Sequence, residues 1–527
     1  MALSEWIDEL RRGGLAWLLD RRRKPASPGA YLARRQRRRL LALGGVAAAL
    51  VLVILGTVQY ARRRPGNAAS GVPSIVVLPF VNLSGDPDQD YFADGLTEEI
   101  QGALAQIPGL RVIGRTTSFA LRGRTGDFRE LARQLGLTSV LEGSVRRSGS
   151  RLRVSAQIVD AREGFQLWSQ TFDREAGDVL AVQDEIGRAV ASALELKLLP
   201  PGRGSGSARP VDPEVYNQYL LARRFLAPSD LDGFVRAAAA SEKAISLAPG
   251  FAPAWATLAA ASAGISDYVE APDEIESNRK RAISAAARAI ELDPRLAEAY
   301  ATRAQLLAQA TWDWEAAGED FDRAHALAPG DADILRKEGA WLLAPQGRLS
   351  EAIQLLRRAT ELDPLSVSAW NSLGLLQVAA GQGDEGELSL RRAAEIDPEN
   401  DYARQGLGVR QLLSGRPEAA LAETNRCSPG LWRLRGAALA EHDLGHVREA
   451  RTALEELTAQ FAFPSPYQIA EVHAWRGDAD QAFAWLEKAM VARDPGLLLL
   501  AWDPLLARIR GDSRMAAMQR RMNLNPG

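Results

Sequence analysis

Cysteine is all but absent from this chain: Cys427 stands alone among 527 residues. An internal disulfide framework is therefore excluded. Export is not excluded with it, because a chain of this size can bury an adequate core without covalent staples. Histidine is nearly as scarce, at positions 325, 442, 446 and 473. Only His442 and His446 have the i,i+4 spacing of a helical metal pair, and no third ligand lies near them. With Gly445 between them they read as a turn between helices. Lysine occurs six times, so arginine carries nearly all the positive charge. The 64 cations and 66 anions almost cancel, so no global field points to nucleic acid. No phosphate-binding loop is present. The GRGSGS run at 202–207 precedes a proline rather than opening a helix, which is wrong for a dinucleotide loop. Glu98 and Glu99 read as first-turn helix acids rather than a catalytic pair. Cys427, Trp312 and Trp314 read as packing residues. The expectation is a protein that is not an enzyme, with no catalytic residue, cofactor, metal site or small-molecule substrate.

Charge is missing altogether from one stretch. Residues 40–60, LLALGGVAAALVLVILGTVQY, hold 21 residues without a charge, and 11 of them are Leu, Ile or Val. As a helix the run would be roughly 31 Å long, about the thickness of a bilayer's hydrocarbon core. It has no polar face, which a soluble helix of that length would need. One membrane-spanning helix is predicted. Eleven Arg or Lys residues precede it, and only Arg62, Arg63 and Arg64 follow closely. The positive-inside rule then keeps residues 1–39 in the cytoplasm and exports the remainder through the inner membrane. The long basic leader and the length of the run argue against a cleaved signal peptide. ARRQRRR at 33–39 reads as a membrane-edge flank, not a nucleic-acid patch. Residues 2–20 have the apolar spacing of a short amphipathic helix, broken at Gly13-Gly14.

After a linker at 61–73, the pattern becomes mixed. Ser74–Val81 is a short β-branched run closed by turn residues, as a buried strand should be. Thr97 looks like an N-cap, with Glu98 and Glu99 in the first turn and Ile100, Leu104 and Ile107 on one face. Strands follow at 110–113, 139–146, 151–160 and 166–172, and helices at 127–136 and 178–198. The order β-α-β-α-β-β-β-α gives a small α+β domain over 74–199. The Pro/Gly/Ser-rich stretch 200–213 reads as a flexible linker, which predicts two separately folding modules.

The words of the α+β segment are distinctive. IVVLPFVNLSGDPDQDYFADGLTEEI, IPGLRVIGRTTSFALRGR and LEGSVRRSGSRLRVSAQIVDAREGFQLWSQTFDRE closely resemble a bacterial extracytoplasmic domain, similar to the N-terminal domain of TolB and to the FlgO domain. The resemblance covers about 125 residues. It implies a place between a membrane helix and tetratricopeptide repeats. Such relatives often carry a winged-helix or nucleotide cyclase domain before the membrane helix, and residues 1–39 hold neither.

Beyond 213 the chain repeats itself. LAP, ELDP, LAP, ELDP and EIDP end at Pro249, Pro294, Pro329, Pro364 and Pro398, with steps of 45, 35, 35 and 34. A period near 34 with paired helices is the tetratricopeptide signature. About eight repeats are expected over 214–490, then a capping region at 491–527 that covers the last apolar face. The 45-residue step places an eleven-residue insertion in a turn between two helices. Large–small pairs mark each first helix (Trp255 and Ala259, Tyr300 and Ala304, Leu335 and Gly339, Trp370 and Gly374). The second helices carry trios such as Ala317, Phe321 and Ala324. Counting from the repeat template, Glu298, Arg336, Asn371 and Gln405 should face the groove. The fold class is thus an α+β domain followed by an all-α repeat superhelix, with one N-terminal membrane helix. The expected function is a membrane-anchored scaffold that holds a protein or peptide partner. The alternative is an extracytoplasmic sensor acting through a separate cytoplasmic regulator.

Overall fold

The computed structural model describes residues 73–86, 89–123, 128–194, 211–227, 229–269, 271–463 and 465–524. The apolar run 40–60 and the segment 2–20 lie outside these. Among the described residues no helix is long and apolar enough to cross a membrane.

The first part is one mixed sheet. Its strands are β1 (Ser74–Val77), β2 (Val81–Asn82), β3 (Arg111–Val112), β4 (Ser139–Ser148), β5 (Arg151–Asp160) and β6 (Gln166–Glu175), in spatial order β3-β1-β4-β5-β6 with β2 beside β4. β1 is parallel to both neighbours, with Ile75 opposite Val112 and Val76 opposite Val140. Its side chains are wholly buried on both faces, which a central parallel strand of β-branched residues permits. β4 and β5 form a hairpin across Gly149-Ser150, where Gly149 supplies the positive φ (59°) that so tight a turn requires.

Four helices cover the sheet: α1 (Asp90–Ala105), α2 (Arg115–Ala120), α3 (Phe128–Leu135) and α4 (Val179–Ala193). Leu96, Ile100 and Leu104 of α1 join Val182, Ile186 and Val190 of α4 on one face. Leu121, Ala132 and Leu137 close the other over Val76 and Val140. Two local expectations need correction. Thr97 is not an N-cap: α1 begins two turns earlier, and the Thr97 hydroxyl donates to the Ala93 carbonyl while accepting from the Phe80 N–H. α2 was not expected at all, because RTTSFA carries no helical period and its order comes from a distant carboxylate described below.

The second part is a row of helical hairpins, first helix A and then helix B. They are α5 (Pro213–Leu226) with α6 (Leu231–Leu247), α7 (Ala252–Tyr268) with α8 (Pro272–Leu292), α9 (Ala297–Leu306) with α10 (Trp314–Leu327), and α11 (Ala332–Lys337) with α12 (Leu349–Leu362). Next come α13 (Val367–Ala379) with α14 (Gly383–Ile396), α15 (Asp401–Leu413) with α16 (Pro417–Thr424), α17 (Leu431–Asp443) with α18 (Val447–Phe461), and α19 (Pro466–Trp475) with α20 (Ala479–Ala492). Each A helix packs on its own B helix and on the next A helix. This is the tetratricopeptide arrangement. Asp212, Asp230, Asp313, Ser366, Asn400 and Asp478 cap helix starts through side-chain oxygens. The small positions Ala259, Ala304, Ala317, Ala324, Ala352 and Ala359 are fully buried where helices meet. The extra residues of repeat two do not form a loop. They lengthen its helices to 17 and 21 residues, since Ser266-Asp267-Tyr268 continues α7 and Pro272 with Asp273 and Glu274 makes a favourable first turn for α8.

The array ends in two 3-10 turns (Pro495–Leu499 and Pro504–Ile509) and α21 (Ser513–Arg521). This cap buries Leu497, Leu506, Ile509 and Met518 against Tyr467, Ile469 and Leu486 of repeat eight. It also reaches back across the array. The Trp314 indole N–H donates to the Met522 carbonyl at 2.7 Å, and the Asn523 amide donates to the Trp312 carbonyl at 3.2 Å. Repeat three and the C-terminal cap are thus tied, and the row of repeats closes on itself at that contact.

The two parts do not stand apart as the 200–213 linker led one to expect. One apolar core runs from Ile75, Leu96 and Val182 through Val215, Tyr216, Tyr219 and Leu220 of α5 to Ala254 of α7. The first repeat completes the α+β domain.

Candidate partner-binding groove

The A helices α5, α7, α9, α11, α13, α15, α17 and α19 pack one on the next along the array, and the four residues counted from the repeat template lie on four of them. The α+β domain holds the early repeats. Gly95 of α1 meets α5 so closely that a Cβ there would lie 2.5 Å from Leu220. Arg223 of α5 stands at the centre of the junction. It pairs with Glu98 at 3.1 Å, Glu99 at 3.5 Å and Glu298 of α9 at 3.0 Å. The Tyr219 hydroxyl donates to Glu99, whose carboxyl is pushed up by burial and partly restored by Arg223.

A second junction lies at the turn after repeat four. Asp363 accepts from the Thr117 N–H at 2.9 Å, the Thr117 hydroxyl at 2.7 Å and the Thr116 N–H at 3.2 Å, so it caps α2 from the other domain. The Gly114 N–H donates to Leu362 at 2.7 Å, and a Cβ on Gly114 would lie 2.5 Å from the Asp363 Cβ. The Gly330 N–H reaches the Ala105 carbonyl at 3.3 Å.

The four residues counted from the template therefore differ in availability. Glu298 is taken by Arg223. Arg336 of α11 pairs with Asp333 at 2.6 Å, and Lys337 pairs with the same carboxylate at 3.0 Å. Asp333 is exposed, and these two cations outweigh the desolvation by surrounding protein and hold its carboxyl below the usual range. Asn371 of α13 is half-buried, and its side-chain oxygen has no hydrogen-bond partner. Gln405 of α15 accepts from Arg435 of α17 at 2.5 Å. Arg435, buried, also pairs with Glu471 of α19 at 2.8 Å. Burial lifts the Glu471 carboxyl well above its usual value against the pull of Arg435, and the neighbouring Asp503 lifts it further.

Template counting missed Arg435 and Glu471. The signal for Arg435 was there: Arg336, Asn371, Gln405 and Arg435 each hold the fifth position of successive A helices. The motif of repeat seven is weak, so the template alone sets no register there. His446 bonds Glu441 at 2.6 Å rather than facing His442. Burial pushes the Cys427 thiol up to about 11, which leaves almost no thiolate at neutral pH.

No family model matches the chain. A Rhizobium meliloti protein named "Putative adenylate cyclase 3" is 41% identical over 204 residues, covering 37% of this chain and 35% of its own. The chain spans about a third of the length of that curated relative. The likeness overturns the exclusion of enzymes drawn from motifs. Motif spacing detects only catalytic groups close in sequence, and the absence of such spacing is outweighed by identity to a protein with an enzyme's name. Among solved structures, PilW, a type IV pilus biogenesis factor, is 21% identical, covers 35% of this chain and 87% of its own, and has a TM-score of 0.33. YrrB, a tetratricopeptide protein with an unusual peptide-binding site, is 21% identical over 41% and 99%, at 0.28. Human IFIT1 with m7Gppp-AAAA is 14% identical over 59% and 78%, at 0.38. No function is carried over from likenesses at this level.

Proposed function

We propose that this chain is a membrane-anchored interaction scaffold of the bacterial cell envelope, with a partner protein or peptide held along repeats four to seven. The anchor rests on the apolar run 40–60 and its unequal basic flanks. The observation that carries the groove is Asn371. It holds the fifth position of its A helix, in register with Arg336, Gln405 and Arg435 of the neighbouring A helices, so a row of polar side chains follows the A-helix face. An extended peptide laid across these helices would meet those polar side chains in turn. Among the described residues, the hydrogen bonds of the α+β domain to the repeats reach no further along the chain than Asp363 and Leu365.

A photoreactive side chain replacing Asn371 in intact cells should cross-link one discrete envelope protein. The same group at Arg391, exposed on the outer helix α14, should not. Equal labelling at both sites would remove the groove, and a cytoplasmic protein captured at position 371 would reverse the proposed orientation.

A second reading is a signalling component, favoured by the cyclase-named relative. A bound partner would then set the output of a nucleotide cyclase, in this chain or beside it. Deleting the chain should change cellular cyclic AMP. Unchanged levels, together with no cyclic AMP formed from ATP by the purified full chain, would remove this reading.

A further inference from the structure

In repeats three to eight, the residue two positions before helix B has a left-handed backbone. In repeats four to eight it is Gly347, Gly381, Gly415, Gly445 and Gly477, at φ of 67° to 82°. In repeat three it is Trp312, at φ 56°. A bulky side chain is costly in that conformation. The backbone that leads to it is irregular too, a π turn over Leu307–Thr311. Arg493 (φ 51°), which ends α20, and Asn523 (φ 55°), which follows α21, are also left-handed. Among the described residues four non-glycine residues have positive φ, and three of them meet at the closure of the array.

Contacts across the closure hold these three residues. The Arg493 guanidinium lies 3.7 Å from the Trp312 ring centroid. The Asn523 amide donates to the Trp312 carbonyl at 3.2 Å, and the Trp314 indole donates to the Met522 carbonyl at 2.7 Å. Met522 and Leu524 are buried in the same apolar core as Trp312 and Trp314. The strained backbone thus belongs to the closed form, and such strain persists only where surrounding contacts impose it. The cap is held far more firmly to repeat eight. Besides its buried leucines and methionines, Arg514 pairs with Asp480 at 2.9 Å and Arg521 with Glu487 at 2.7 Å, both on α20. If the closure parts, the cap stays with repeat eight and leaves repeat three.

We propose that this contact is a strained latch, and that the array passes between a closed form and an open form in which repeat three and the cap have parted. Opening gives up two hydrogen bonds, the stacking of Arg493 on Trp312 and some buried apolar surface. It also relaxes three residues, which brings the two forms close in free energy. A partner that binds one form more tightly shifts the balance by that ratio of affinities. The test uses the purified full chain carrying Cys427→Ala, with spin labels attached at Glu319→Cys on α10 and Arg520→Cys on α21, both exposed positions. Pulsed dipolar spectroscopy should resolve two distances, the shorter from the closed form. Trp314→Phe keeps an apolar ring but removes the indole donor, and should raise the ratio of open to closed about tenfold. Asn523→Ala loses the amide and keeps the strain, so it should raise the ratio as well. Asn523→Gly loses the same amide together with the strain, and should open less than Asn523→Ala. If Trp314→Phe melts well below the parent, the Asn523 pair decides alone. A single distance in the parent overturns the latch. Two distances whose ratio neither Trp314→Phe nor Asn523→Ala moves also overturn it, because the motion then lies elsewhere. Equal ratios in Asn523→Ala and Asn523→Gly would overturn backbone strain as the force that opens it.

Discussion

Asp363→Ala should loosen the α+β domain from the repeats while leaving the repeats themselves folded. The carboxylate is 6% exposed and accepts three hydrogen bonds from Thr116 and Thr117. Removing it strands buried donors, each at about 1–3 kcal/mol. The N-terminus of α2 also loses its cap. Amide exchange over 115–120 should therefore quicken by at least about tenfold, as 1.4 kcal/mol of local stability implies. Asp397→Ala is the matched control. It ends the same kind of motif, EIDP, but its side chain bonds only Glu399 and Asn400 beside it. Equal exchange in the two variants would mean that the Asp363 junction adds nothing to docking.

Gly374→Leu should destabilise the array by about 1–3 kcal/mol or more through overpacking. A Cβ at Gly374 would lie 2.6 Å from the Leu390 Cγ and 3.0 Å from the Gly386 carbonyl, both on helix B of the same repeat. Leu390 has no free side to move into, because a Cβ at Gly406 of repeat six would lie 2.8 Å from it. Damage should concentrate in repeats five and six, seen as faster exchange there and a lower melting temperature of the purified chain. An exposed helical glycine would respond in the opposite sense, gaining up to about 1 kcal/mol of helix propensity. A melting temperature equal to or above the parent's would show that the register of repeat five is misplaced.

What could be read from the residues and what could not divide along sequence distance. The A and B helices, their caps and the small positions between them depend on neighbours within about 34 residues, and the period of the chain records them. Gly374 was identifiable as a packing glycine from Trp370 and the copies alone. The docking of the α+β domain depends on partners about 250 residues apart, such as Thr117 and Asp363, and no local pattern encodes it. ELDP at 361–364 and EIDP at 395–398 look alike, yet only the first crosses between domains. Glu98 and Glu99 looked like ordinary first-turn acids, and both turn out to meet Arg223. The groove was legible only as a template, so Glu298 was named although Arg223 already holds it. Asn371 gave no sign that its oxygen would lack a partner.

The bond between Trp314 and Met522 joins residues 208 apart. An open repeat array can gain or lose a unit at modest cost, because each unit touches only the next. A closed one cannot. Adding or deleting one repeat between Trp314 and the cap would shift the cap by a whole unit and leave the Trp314 indole facing the wrong partner. The length of this array is therefore fixed by its own circumference. Homologues that keep the two tryptophans should keep the repeat count, while insertions should collect within the helices of single repeats, as they do in α7 and α8.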